Sequence, residues 1–354
     1  MTRPFGLGDV SLLWALRRRG LALDMQRAVL WPASPLHTAL AELLPTRHLS
    51  PIRTYVCQSE GSDERGFLQV LTCPERREWQ VIHLAPWAAS EDLESCEGWV
   101  GPLVELCSLA GAWGAWRIRA GVEAGGPEEE AFRQAGFIPY TREEVYWLRT
   151  PPPTPGSEDL LRPLLAQDAW PLAQLVNRVV PSHVQHAEGL NLTSSSAPLL
   201  ARLGVGHEQG YVWSRDGELA AYVGLSRGRD GAWARVLLDP DARRHAGDLV
   251  RSVVARVPPA ANLYWAVREY QAGLRGTLLA MGFELFAVQV WLVKHTARPA
   301  ECRPFRHLVA LDKRTEPVTT PLHPVHSASG RPWATREHCV YEYRRTDSFA
   351  VGSD

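Results

Sequence analysis

Apolar and polar positions alternate along this 354-residue chain with two different periods, and the periods mark out its elements. Between Gly98 and Trp116, the apolar residues Trp99, Leu103, Leu106, Cys107 and Ala110 recur at helical spacing. This is the most apolar long window. It nevertheless contains Pro102, Glu105 and four glycines, whereas a bilayer span needs about 20 mostly apolar residues with few charges. The pattern therefore predicts a buried helix followed by a strand, in a soluble chain with no membrane partner. Period-two stretches elsewhere predict strands. Tyr211 to Gly224 reads as a hairpin turning at Asp216-Gly217, and a turn at Arg229-Asp-Gly231 precedes a strand from Ala232 to Leu238. Gly66–Thr72 and Trp79–Leu84 play the same parts earlier in the chain.

The pattern occurs twice. Arg3-Pro4, Asp9 and Leu13 are matched by Arg162-Pro163, Asp168 and Leu172, each pair 159 positions apart. Both sets predict a short strand and then an acidic helix start. Downstream, Trp116–Ala120, Gly126–Phe137 and Glu143–Leu148 correspond to Asn262–Val267, Ala272–Phe283 and Val288–Val293. Each series predicts a strand, a short helix ending at a glycine suited to the left-handed cap, and apolar strands after it. Two matching ends in the same order indicate duplication. Between the copies lies Thr150-Pro-Pro-Pro-Thr-Pro-Gly-Ser-Glu158, whose prolines can neither continue a helix nor donate within a sheet. The expected organisation is a first α/β unit over 1–150, a spacer over 151–158, a second unit over 159–316, and a tail of unassigned structure over 317–354, in which Tyr341-Glu-Tyr343 is a candidate edge strand. The fold class is α/β, each unit a mixed, mostly antiparallel sheet flanked by helices.

Charge narrows the partners. Lys and Arg total 38 against 39 Asp and Glu, a net charge of −1, so no global field draws the chain to nucleic acid. Its fourteen tryptophans do not alternate with basic residues as a base-stacking platform would. The six cysteines form no Cys-x-x-Cys pair, and the amino terminus lacks a secretory pattern, so free thiols in a cytoplasmic protein are expected. His183 with His186, and His323 with His326, lack a third ligand cluster, and no metal is expected.

The order of elements, and the ending in helix-x-Gly-Phe followed by strands, resembles the GNAT superfamily of acyl-CoA-dependent N-acyltransferases over about residues 1–148 and again over 160–300. The resemblance implies acetyl-CoA or another acyl-CoA as co-substrate and a small-molecule or peptide amine as acceptor. In that family the pyrophosphate rests on backbone amides of a glycine-bearing loop between the fourth strand and the next helix, where free N–H groups and the helix dipole favour an anion. Leu237-Leu-Asp-Pro-Asp-Ala-Arg-Arg-His-Ala-Gly-Asp248 stands in that place and resembles the family loop through Pro240, Arg243 and Gly247. The cofactor residues it implies are Leu237, Leu238, Arg243, Arg244, His245, Ala246, Gly247 and Asp248. Arg244 and Ala246 depart from the family's glycines. The matching stretch of the first copy, Leu84 to Glu97, carries four carboxylates and no glycine, so a cofactor is expected in the second copy only.

Acyl transfer also needs an unprotonated amine and a departing thiolate. The family's usual acid, a tyrosine four residues before the helix-ending glycine, is replaced by Phe132 and Leu278. Tyr270 is the substitute acid. Asp239 and His83 are the candidate bases, each with a plainer role as loop cap and core residue, and no base is assigned. Two functions stay open: an N-acyltransferase, or a GNAT-like ligand-binding or regulatory protein without turnover.

Overall fold

One ion pair opens both halves of the molecule. The Arg3 guanidinium donates to Asp9 (Nη1 to Oδ2, 2.7 Å), and Asp9 also accepts from the Gly6 amide at 3.0 Å. Arg162 makes the same fork onto Asp168, at 2.7 Å to each oxygen, with the Leu165 amide at 2.8 Å. Each fork ties an incoming strand to the first turn of the following helix. A computed structural model describes residues 2–44, 51–58, 65–74, 77–86, 94–149, 160–190, 208–229, 231–259 and 261–296. All belong to the first of two units into which the chain divides, Met1–Ala300. The spacer and the tail, including Tyr341 and Tyr343, lie outside the described residues.

The first half runs β1 (Thr2–Pro4), α1 (Val10–Leu16), β2 (Leu21–Ala22), α2 (Met25–Leu30), α3 (Pro35–Ala41), β3 (Ile52–Gln58), β4 (Arg65–Cys73), β5 (Glu78–Ala85), α4 (Glu94–Ala112), β6 (Arg117–Glu123), α5 (Pro127–Gln134) and β7 (Ile138–Leu148). The second runs β8 (Arg162–Pro163), α6 (Ala169–Val179), α7 (Ser182–Glu188), β9 (Glu208–Arg215), β10 (Glu218–Arg227), β11 (Gly231–Leu238), α8 (Ala246–Val254), β12 (Asn262–Arg268), α9 (Arg275–Ala280) and β13 (Glu284–His295). The β9–β10 hairpin turns at Asp216 and Gly217, both at positive φ, the conformation that Asp-Gly favours. Gly136 and Gly282 end the last helix of each half at φ 84° and 85°. The following phenylalanine amide bonds back, Phe137 to Phe132 and Phe283 to Leu278, at 3.0 and 3.1 Å.

The halves share one sheet, in the order β1-β3-β4-β5-β6-β13-β7-β12-β11-β10-β9-β8. In each half the strand before the crossover is parallel to the strand after it (β5 with β6, β11 with β12), while the rest pair antiparallel. The last strands are exchanged. β7 of the first half pairs with β12 of the second, β13 pairs with β6, and β7 and β13 pair with each other at the centre. β6 and β12 therefore occupy equivalent places.

One face of the sheet buries two repeated cores. In the first half Leu103, Leu106, Ile118 and Phe132 pack together, and in the second Leu249, Val253, Trp265 and Leu278. On the other face, α6 and α7 pack against Tyr140, Leu237 and Trp291. α2 of the first half lies over the second half's sheet, where Leu30 packs with Trp233, Tyr264 and Ala266. The approach is close: a Cβ on Gly228 would fall 2.3 Å from the Leu30 carbonyl.

Candidate functional site

The two parallel strand pairs do not stay paired. β11 and β12 run in register from Gly231/Asn262 to Arg235/Ala266 and then separate, leaving the backbone edge of β11 facing a gap. Asp239 donates its amide to Ala220 of β10, so by strand alternation Leu238 points its N–H and C=O into that gap. A 3-10 turn, Pro240–His245, follows directly and runs into α8. Leu237 and Leu238 are buried in separate clusters, while Arg243 and Arg244 are exposed in the 3-10 turn. Arg243 reaches across to the opposite lip: a Cβ on Gly273 would meet its Nε at 3.2 Å. His245 packs edge-on against Trp213, and the Ala246 amide donates to the Arg243 carbonyl. Gly247 and Asp248 lie in the first turn of α8, where Asp248 pairs with Arg251.

The same gap opens in the first half and is filled. β5 and β6 pair only from Glu78/Arg117 to Gln80/Arg119. Beyond that point β2 takes β6's place, with Leu21 opposite Leu84, Ala22 opposite His83, and the Leu23 amide donating to Ile82 at 2.9 Å. Because β4 occupies the other edge of β5, β2 lies on the gap side. Gly20 lets it pass, since a Cβ there would fall 2.1 Å from His83 Cε1. Burial lowers the His83 pKa to about 4. Stacked on Phe67, His83 is a neutral imidazole at pH 7.

Of the candidate chemical groups, Asp239 is engaged on both oxygens, accepting the Asp241 amide at 3.0 Å and facing Arg178 at 3.3 Å. Tyr270 sits just past β12 in a second 3-10 turn, Glu269–Leu274, packed against the core beneath α6. Burial pushes its pKa up, against the pull of Arg268, so the phenol keeps its proton and could donate one. Phe132 and Leu278 have no exposure at all. Both fill cores, Leu278 in the one that also holds Leu238.

Beside the gap, on the face shared with α2 and α7, is a charged cluster that sequence reasoning missed. Arg268 closes β12 and donates from Nε to Glu143 at 2.6 Å and from Nη2 to Glu188 at 3.1 Å. Tyr140 donates to Glu188 at 3.1 Å, and Arg119 lies 3.7 Å from it while pairing with Glu78. Burial would raise the Glu188 pKa, but Arg268 and Arg119 outweigh it and hold the carboxyl below its ordinary value. A carboxylate so held is a poor base and a good anchor. The signal was present as charges within apolar strands, in Arg117-Ile-Arg119 and at the end of Tyr264-Trp-Ala-Val-Arg268. A cavity of about 400 Å³ bordered by Arg227, Arg229 and Asn262 lies where β11 and β12 begin, the opposite end from this chemistry.

Among the described residues no group of three or more His, Cys, Asp or Glu could hold a metal, and no helix is long and apolar enough to cross a membrane. No family model and no curated protein matches the chain. Among solved structures, its fold is similar to a GCN5-related N-acetyltransferase of Sphaerobacter thermophilus (13% identity, 84% of this chain and 96% of that one, TM-score 0.46). It is also similar to a tandem GNAT protein from the clavulanic acid biosynthesis pathway (16%, 84% and 99%, 0.46) and to an acetyltransferase from Pyrococcus horikoshii described as putative (10%, 83% and 89%, 0.44).

Proposed function

We propose that the chain is an acyl-CoA-dependent N-acyltransferase, in which the second half holds the acyl-CoA and the first half does not. The observation that carries this reading is the divergence of β11 from β12. It leaves the Leu238 backbone without a neighbouring strand and leads straight into a helix start flanked by Arg243 and Arg244. That arrangement fits a thioester carrying an amide-bearing arm and a phosphate end: the arm can pair with the strand edge and the arginines can meet the phosphates. The gap in the first half already contains β2, and the acidic stretch after β5 would repel phosphate. The acceptor, on this reading an amine, would approach from the face of Glu188, Arg268 and Tyr270. Tyr270 is the group we place as proton donor to the departing thiolate.

A second reading, a GNAT-like binding protein without turnover, draws on two observations. Phe132 and Leu278 fill cores where the family carries its acid, and both Asp239 oxygens are engaged. The test is calorimetric titration of the intact protein with acetyl-CoA and free CoA, followed by measurement of thiol release with a panel of amines. Binding with turnover is the expected result. Tight binding without turnover would favour the second reading, and no binding of either CoA species would overturn the first.

A further inference from the structure

The two halves close the same gap by different means, and the difference points to a specific residue. In the first half a strand of the chain pairs with the free edge of β5 over Ile82–Leu84. In the second, one side chain does so. The Gln271 carboxamide accepts from the Leu238 amide and donates to the Leu238 carbonyl, both at 3.2 Å and both buried. It satisfies the two groups that the divergence of β11 and β12 leaves open, which unpaired would be costly. Gln271 is itself buried, and its backbone (φ −110°, ψ 16°) breaks the 3-10 run of Glu269–Leu274 as the side chain turns inward.

We infer that Gln271 is a displaceable side-chain plug that competes with the amide arm of acyl-CoA for the backbone of Leu238, and so sets the affinity of the slot. This rests on the proposed function for the identity of the ligand, though not for the geometry of the plug. A strand is held by several backbone bonds and by the packing around it. A glutamine is held by two neutral hydrogen bonds, each of modest net worth, and can rotate out. The first half is closed by its own chain, whereas the second is closed only until something with a better-matched pair of amide groups arrives. Removing the plug removes the competition.

The test uses the full chain with Gln271→Ala, and with Gln271→Asn as a shorter amide should the alanine variant not fold. Without ligand, hydrogen–deuterium exchange at the Leu238 amide should accelerate at least tenfold in the variants. Unchanged protection would show that Gln271 does not hold that amide. Calorimetry with acetyl-CoA should then show binding about tenfold tighter than in the unaltered chain, which corresponds to about 1.4 kcal/mol. If the unaltered chain binds acetyl-CoA and the variants bind equally or more weakly, the plug proposal fails and the functional reading survives. If none of the proteins binds acetyl-CoA, the functional reading fails and the competition with it, whatever the exchange data show.

Discussion

Replacing Glu143 with alanine tests whether the two halves are fastened by charge at the centre of the sheet. Glu143 is 1% exposed and belongs to β7, the strand the first half lends to the second. Its carboxylate accepts from Arg268 Nε at 2.6 Å, from Trp291 Nε1 at 3.3 Å, and from the Gln289 amide. All three donors come from the second half. Truncation leaves the Arg268 guanidinium, 14% exposed, with Glu188 as its remaining carboxylate partner. Breaking a buried pair by removing one member costs roughly 3–5 kcal/mol, because the survivor stays desolvated without its partner. The retained Glu188 contact puts the expected loss at the low end, about 3 kcal/mol. At about 2–4 °C per kcal/mol for a large domain, the melting temperature should fall by about 6–12 °C.

The assay is urea unfolding followed by tryptophan fluorescence and far-ultraviolet circular dichroism together. Exchanged strands tie the halves into one sheet, so both signals should move in one transition. Glu143→Gln, which keeps an oxygen acceptor for Arg268, Trp291 and Gln289, should destabilise less than the alanine change, since fewer buried donors lose their acceptor. A loss below 1 kcal/mol for Glu143→Ala, or a glutamine variant worse than the alanine one, would refute the reasoning.

Three further outcomes follow from the same structure. Asp9 and Asp168 have their pKa values lowered, first by the hydrogen bonds from Arg3 and Arg162. Their contribution to stability is therefore present above the ordinary Asp range near pH 4 and is lost as pH falls through the lowered values. Stability measured across the acid range should have a steeper acid limb in the unaltered protein than in Asp9→Asn with Asp168→Asn, with the two curves converging once pH has fallen through the lowered values. Leu278→Tyr, which the family pattern suggests as a restored acid, should instead destabilise by about 1–3 kcal/mol, because Leu278 is a fully buried core residue with no room for a ring. Thermal melting would check it, and an unshifted melting temperature would show that the position opens toward solvent. Cutting the chain within the 151–158 spacer should leave the two fragments associated through size-exclusion chromatography, since each supplies a strand to the other's part of the sheet. Separation without denaturant would count against the exchange.

Much of this was legible in the sequence because it is local. The Arg3/Asp9 and Arg162/Asp168 repeat, the Asp216-Gly217 turn, and the Gly136 and Gly282 helix ends each depend on residues only a few positions apart. Their physical chemistry is therefore written contiguously. The strand exchange was not legible. Val288–Val293 and Glu143–Leu148 have the same apolar pattern, and period two says that a strand exists without saying which neighbour it takes. The cluster of Arg119, Glu143, Glu188 and Arg268 was missed for the same reason. Glu143 and Arg268 are 125 positions apart in the sequence and meet only because β7 crosses over. Gln271 carried no signal at all, since an amide beside a 3-10 turn looks like any exposed polar residue until the Leu238 backbone it pairs with is seen.

Duplication explains why the two halves can differ so far in chemistry while matching in layout. Where parallel strands diverge, two backbone groups must find partners whatever the half is for, because buried N–H and C=O groups are not left open. The first half meets that demand with β2, and Gly20 accommodates the strand against His83 at a spacing no side chain would permit. Once a strand is integrated there, carboxylates such as Glu91 and Glu94 can accumulate in the following segment without penalty to any phosphate, and the half is free to serve as scaffold. What it supplies is substantial: α2 covers the second half's sheet, Gln26 donates to Ser226 and accepts from Arg235, and β7 carries Glu143 to Arg268. The second half meets the same demand with Gln271, a partner that can leave. On the proposed function, the first half, closed by its own strand, is the structural support for a site kept in the second.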